Sequence, residues 1–297
     1  MRWHGPTMSD ASPRLRRNRD ALQAAALALE QAGVESPTTE ARIILAHVLG
    51  LPLTRLDLRL ADSLEAQERY GALVAERATR QPLAYVLGET EFMGLTFRCD
   101  ARALVPRPET ELLVEAVARG ASGGVILDIG TGTGCIGLSL AMLVPEARVV
   151  LTDVSAEALE LAAENAERLA VRERVELLEG RDLEPVLAAG LAEGITCVVS
   201  NPPYIPPADV PNLPPEVAAH ESPLAWRGEG EAGLGMYERL IPACAERLPN
   251  VRRAAFEVGL GQMAAVLGLC REAWPHFDWQ SLKDLSGTAR TALGQAI

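Results

Sequence analysis

The chain is short of cysteine, histidine, positive charge and long apolar runs, and each shortage removes a class of protein. Its five cysteines (Cys99, Cys135, Cys197, Cys244 and Cys270) are scattered and lack C-x-x-C spacing, so neither a disulfide framework nor a zinc site is indicated and reduced thiols are expected. The four histidines, His4, His47, His220 and His276, form no H-E-x-x-H pattern, and no metal is assigned. Lysine and arginine total 28 against 40 acids, a net charge of −12. Proteins that grip duplex nucleic acid by its phosphates normally carry basic surface, so no direct nucleic-acid partner is expected. No stretch reaches the roughly 18 apolar residues of a membrane span, and the basic N-terminus is not followed by the apolar core of a secretory signal. A cytoplasmic, monomeric protein is the expectation.

What is present is a chain of 297 residues with 48% hydrophobic content, enough for roughly two domains with cores of their own. Residues 1–13, with Pro6 and Pro13, read as a flexible leader. From Leu15 to about Arg80 the pattern is helical. Leu22, Ala25, Ala26 and Leu29 recur at helix spacing, Ser36 and Pro37 suit a cap and first turn, and Gly50 reads as a stop. Between Leu83 and Val105, short β-prone pieces such as Leu95 to Arg98 are punctuated by Gly88 and Gly94, which predicts a hairpin linker. Beyond it strand and helix alternate in doubly wound α/β fashion. Strands are expected at Val125 to Ile129, Val149 to Asp153, Val175 to Leu178, Ile195 to Val199, Ala254 to Val258, Phe277 to Leu282 and Thr288 to Leu293.

Two motifs carry chemistry. The first is the apolar run Val125 to Ile129, containing Asp128, followed by Gly130-Thr131-Gly132-Thr133-Gly134. A strand entering a glycine-rich turn and then a helix makes a nucleotide-type binding unit, because glycine lets a ligand approach the main chain. The sixth position of the dinucleotide pattern G-x-G-x-x-G is Cys135, and the turn lacks the lysine of a P-loop, so a triphosphate is not indicated. S-adenosylmethionine, which has no phosphate, suits that departure. Asp153 closes the next strand about 20 residues on, where an acid that grips ribose hydroxyls belongs. Cys135 reads as a small buried helix-start residue rather than a nucleophile.

The second motif is Asn201-Pro202-Pro203-Tyr204, directly after the run Ile195 to Ser200. A planar nitrogen is a poor nucleophile because its lone pair is delocalised. Asn201 can offer a side-chain carbonyl to one N–H and Pro202 a backbone carbonyl to the other. The paired prolines restrict φ and remove competing donors, and Tyr204 supplies a flat face. The plain alternative is a turn that ends a strand. Gly130, Asp153, Asp182 and Asn201 all follow expected strand ends, where ligands sit in open α/β sheets. The Pro-rich run Ile205 to Pro215 reads either as a loop over this site or as a disordered connector.

Further pieces extend the pattern: Pro82-Leu83-Ala84-Tyr85, Glu91-Phe92-Met93-Gly94-Leu95, Arg107-Pro108-Glu109-Thr110, Glu221-Ser222-Pro223-Leu224, Glu257-Val258-Gly259 and the closing Asp284 to Arg290. With D-I-G-T-G-T-G and N-P-P-Y, these resemble the PrmC (HemK) family of protein glutamine methyltransferases from about Leu15 to the C-terminus. N-P-P-Y itself is shared with adenine and guanine N-methyltransferases. The resemblance implies an α/β class I S-adenosylmethionine-dependent methyltransferase fold, Rossmann-like and seven-stranded. The domains it implies are a helical substrate-recognition domain at 14–82, a hairpin linker at 83–105 and a methyltransferase domain at 106–297. It also implies a substrate, the glutamine of the Gly-Gly-Gln loop in class-1 peptide chain release factors. Asp128 and Gly130 to Gly134 would line S-adenosyl-L-methionine, Asp153 its ribose, and Asp182 and Leu183 its adenine, with Asn201 beside it. Asn201 to Tyr204 would hold the target amide. Arg107 and Glu109 stand either as entrance residues touching cofactor or substrate or as an ion pair with each other. A glutamine methyltransferase of a ribosomal protein would share every catalytic residue. A nucleic-acid base methyltransferase is opposed by the acidity, and a catalytically idle adaptor by the intact N-P-P-Y.

Overall fold

The computed structural model describes residues 17–62, 66–121 and 123–297. The expected leader at 1–13 lies outside them. The chain divides into two compact units between Leu87 and Gly88.

In the first unit, α1 (Asn18–Gln31), α2 (Pro37–Val48), a 3-10 turn (Leu53–Arg59), α3 (Gln67–Ala78) and α4 (Leu83–Leu87) surround a small core. Ala21, Leu22, Ala25 and Leu29 line the buried stripe of α1 and meet Ile44, Leu45, Leu56, Tyr70 and Val74. Periodicity put Leu22, Ala25 and Leu29 on that face; Ala26, expected with them, is half-buried against it. Ser36 occupies the N-cap of α2, but its side chain makes no capping bond; Pro37, which forgoes a donor the first turn cannot use, marks the start instead. The Tyr70 hydroxyl donates to the Ala41 carbonyl at 3.1 Å, and buried Arg77 donates to Glu40 at 3.2 Å. Helix continues through Leu87 where β-prone chain was expected.

The second unit opens with a hairpin, β1 (Glu89–Phe92) and β2 (Leu95–Arg98). Its two-residue turn, Met93-Gly94, has φ of +54° and +69°, the left-handed pair that matches strand twist. Phe92 and Phe97 pack edge to face beneath it, with centroids 6.1 Å apart. After α5 (Glu111–Ala118), β3 (Gly124–Ile129) leads to α6 (Cys135–Leu143). Then come β4 (Ala147–Asp153), α7 (Ala156–Arg168), β5 (Val175–Glu179), α8 (Glu184–Ala188) and β6 (Ile195–Ser200). Two short helices, α9 (Pro215–His220) and α10 (Pro223–Trp226), precede α11 (Gly235–Arg247), β7 (Arg253–Glu257), α12 (Met263–Ala273), β8 (Phe277–Lys283) and β9 (Ala289–Ala296).

The described strands from β3 onward form one seven-stranded sheet in the order β5-β4-β3-β6-β7-β9-β8. The first five run parallel; β9 lies antiparallel to both β7 and β8. Parallel strands are covered on both faces, which is why β3 and β6 read as continuous apolar runs. Leu113, Val117, Leu138, Ala162 and Ala166 belong to one core layer, and Tyr237, Leu240, Ile241, Val266 and Trp274 to another. The chain builds outward from β3 through β4 to β5, then returns to place β6 on the other side of β3. That reversal opens a crevice beyond the carboxyl ends of β3 and β6, the place where open α/β sheets bind ligands.

Candidate active site

At the end of β3, Gly130 and Gly132 adopt φ of +71° and +55°, and a Cβ built on Gly130 would meet nothing within 4 Å, so the main chain there faces open space. Four of the backbone N–H groups of the turn are already taken within the protein. Gly130 and Thr131 N–H donate to the Thr152 carbonyl at 2.9 and 3.0 Å, Gly132 N–H to Asp153 Oδ2 at 2.9 Å, and Gly134 N–H to the Thr131 carbonyl at 2.9 Å. A phosphate needs such donors free. Acids with an open glycine edge instead suit a cationic ligand bearing hydroxyls, and S-adenosylmethionine is one.

The structure divides the expected cofactor residues by exposure. Asp153, half-buried at the end of β4, also accepts from Ser155 N–H at 3.0 Å; burial raises its pKa while three backbone donors oppose the shift. Asp128 is fully buried. Its Oδ2 accepts from the Thr131 hydroxyl at 2.7 Å and Gly137 N–H at 3.0 Å, and burial lifts its pKa to about 6 against those bonds. Asp128, Thr131, Thr133 and Gly134 therefore shape the turn from within, and Gly130 and Gly132 form its open edge. Asp182, at φ +51°, is held by Arg239, which also binds Glu229. Leu183, expected beside the adenine, is 3% exposed and part of the core layer with Val186 and Leu240. Cys135 is buried, and burial pushes its thiol up to about 12, away from the thiolate form that a nucleophile needs.

At the end of β6, Asn201 Nδ2 donates to Thr110 Oγ1 at 3.3 Å, and the Thr110 hydroxyl donates to Glu257 Oε2 at 2.6 Å. Among the described residues neither Asn201 Oδ1 nor the carbonyl of buried Pro202 receives a hydrogen bond. Two acceptors are thus left free beside the glycine turn. The Tyr204 hydroxyl donates to Glu257 Oε1 at 3.4 Å, while the Tyr204 carbonyl accepts from Gln262 Nε2 at 2.9 Å. Gln262 also accepts from Gly259 N–H at 2.9 Å, so main chain on both sides of the ring is tied. Beyond Tyr204, Ile205 N–H donates to the Trp226 carbonyl and Gly228 N–H to the Ile205 carbonyl, both at 2.9 Å. The Pro-rich run is thus tied to the segment at Trp226 and Gly228 through its first residue, Ile205.

Arg107 does not pair with Glu109. It donates to Glu221 Oε2 at 2.6 Å, and Glu221 Oε1 accepts from Val105 N–H at 3.3 Å. Glu109 is exposed and has no ion pair among the described residues.

A family model described as PrmC N-terminal domain matches residues 20–88, and one described as Methyltransferase small domain matches residues 108–212. A release factor glutamine methyltransferase from Moorella thermoacetica is 40% identical over 280 residues, covering 93% of this chain and 97% of that one. The chain belongs to the release factor glutamine methyltransferase family. Relatives of that name from Cereibacter sphaeroides and Deinococcus radiodurans are each 41% identical, over 86% and 77% of this chain and 90% and 81% of theirs. The solved hMettl16 catalytic domain, in complex with the MAT2A 3'UTR hairpin 6, is similar with a TM-score of 0.54 at 19% identity, covering 75% of this chain and 81% of that one. That likeness bears on fold alone, the α/β fold of a class I methyltransferase.

Thr110, Glu257, Gln262 and Glu221 had no role assigned from sequence. The signal for three of them was present: R-P-E-T, E-V-G and E-S-P stood out as family pieces. Their pairing with Asn201, Tyr204 and Arg107 spans as many as 114 residues and is created only by the fold.

Proposed function

We propose that this protein transfers a methyl group from S-adenosylmethionine to the side-chain amide nitrogen of the glutamine in the Gly-Gly-Gln motif of class-1 peptide chain release factors, as a cytoplasmic monomer. The observation that carries the proposal is the pair of unused acceptors, Asn201 Oδ1 and the Pro202 carbonyl, beside an acid-lined turn whose Gly130, Thr131, Gly132 and Gly134 amides already bond within the protein. When bound, S-adenosylmethionine supplies an electrophilic methyl group on a sulfonium. Asp153, with Gly130 and Gly132, would hold it, and Asp182 would flank it.

Asn201 and Pro202 each take one hydrogen of the target amide, and Tyr204 covers the amide plane. Nitrogen gains positive charge as the methyl arrives, so both hydrogen bonds strengthen in the transition state, which is the condition for catalysis. One amide proton leaves to water once the new bond has formed. Positioning supplies on the order of 7 kcal/mol or more of the barrier reduction. The helical unit is assigned to recognition of the folded release factor, and the net charge of −12 supports a protein rather than a nucleic-acid target. Labelled methyl incorporation into a release factor, ribosomal proteins and nucleic acid, run in parallel, tests the assignment. Incorporation at the Gly-Gly-Gln glutamine alone is expected; incorporation only into one of the other two would overturn it.

A further inference from the structure

Asn201 can serve as an acceptor only if its amide presents oxygen, and not NH2, to the substrate. Nothing in the amide's shape decides this, because its two ends are nearly isosteric. The decision comes from its neighbours. An ionised carboxylate only accepts, so the 2.6 Å contact of Glu257 Oε2 with Thr110 takes the single Thr110 proton. Thr110 Oγ1 is then left with lone pairs and must receive its second bond, and Asn201 Nδ2 at 3.3 Å provides it. Oδ1 is thereby turned outward.

Resting on the methyl-transfer reading above, we infer that Glu257 is a positioning residue that sets, through Thr110, which end of the Asn201 amide faces the substrate. The direction of the relay depends on charge. A proton on Oε2 makes Glu257 the donor to Thr110; the Thr110 proton then points to Asn201, whose oxygen turns inward and whose NH2 faces an incoming NH2. Both groups would be donors and the site would lose its acceptor.

The environment of Glu257 places this reversal in an accessible range. The side chain is 2% exposed, and burial lifts its pKa to about 7. Thr110 and the Tyr204 hydroxyl pull it down by hydrogen bonding, Arg290 on β9 pulls it down by charge, and Glu109 pushes it up. Tyr204 is itself raised by burial and stays neutral across the working range. Glu257 is thus ionised above about pH 7 and protonated below it, so the transfer rate should rise with pH through that region.

The test uses the full chain, a release factor and saturating S-adenosylmethionine in single turnovers between pH 6 and 8.5, with cofactor affinity and thermal unfolding measured on each protein. Thr110→Val, which keeps shape and removes the relay, should lower the rate by about 10- to 100-fold at pH 8 while cofactor affinity stays within about twofold. Thr110→Ser, which keeps the hydroxyl, should recover most of that loss. The parental rate should fall about tenfold from pH 8 to pH 6, and Glu257→Gln should remove that dependence. A folded Thr110→Val protein at the parental rate, or identical pH profiles for the parental protein and Glu257→Gln, would overturn the relay. Should Thr110→Val fail to fold, the pH profiles decide alone. Absence of transfer by the parental protein at every pH would overturn the functional reading itself.

Discussion

Gly233→Ala offers a quantitative probe of how tightly Tyr204 is held. Gly233 sits at φ +69°, and a Cβ there would lie 2.3 Å from the Tyr204 carbonyl oxygen. Ordinary contact begins at 3.4 Å, so the Tyr204 peptide must retreat by about 1 Å, against its hydrogen bond from Gln262. The left-handed conformation costs a residue with a Cβ roughly 1–2 kcal/mol, and forced overpacking adds about 1–3 kcal/mol. Gly230 is a built-in control: its φ is +76°, but a Cβ there meets nothing within 4 Å, so Gly230→Ala should cost only the conformational part. The expected gap between the two variants is about 1–3 kcal/mol in urea unfolding. A displacement near 1 Å at a substrate-positioning group costs about 100-fold in rate, so single-turnover transfer should separate them further. Equal stability and equal rates for the two variants would refute the claim that this loop clamps Tyr204.

Asp153→Ala should weaken S-adenosylmethionine binding by roughly 1.5–3 kcal/mol per charged hydrogen bond lost, measured by calorimetry; an unchanged dissociation constant would remove Asp153 from the cofactor site. Arg107→Ala should destabilise the protein by about 1–3 kcal/mol, less than a fully enclosed pair because Arg107 is 34% exposed while its partner Glu221 is 1% exposed. Burial already raises the Glu221 pKa, so without Arg107 the carboxyl can shed its charge in acid, and the loss seen in denaturant melts should be larger at pH 8 than at pH 5. Equal losses at the two pH values would mean that Glu221 does not depend on Arg107 for its charge.

The sheet was legible because its strands are covered on both faces and so appear as uninterrupted apolar runs ending at Gly130, Asp153 and Asn201. β9 runs on to Ala296, past the expected Leu293, because partners on both sides continue to bond it. Leu83 to Leu87 was misread because five apolar residues are too few to show either a 2.0 or a 3.6 period. Sequence proximity misled at Arg107: Glu109 is two positions away, whereas the acid that meets the guanidinium comes 114 residues later. N-P-P-Y stood out from residue chemistry alone. The contact of Asn201 with Thr110, and of Thr110 with Glu257, did not, since a hydroxyl and a carboxylate acquire direction only when the fold brings them within 2.6 Å.

In the proposed mechanism Asn201 acts on the transition state and not on cofactor binding or folding. Asn201→Ala, compared with the parental protein in single-turnover methylation of a Gly-Gly-Gln release factor, tests it most directly, with cofactor affinity and thermal unfolding measured on the same samples. A folded protein with nearly intact S-adenosylmethionine affinity and a transfer rate lowered about 10- to 1,000-fold is expected. A folded Asn201→Ala protein that methylates at the parental rate would contradict it.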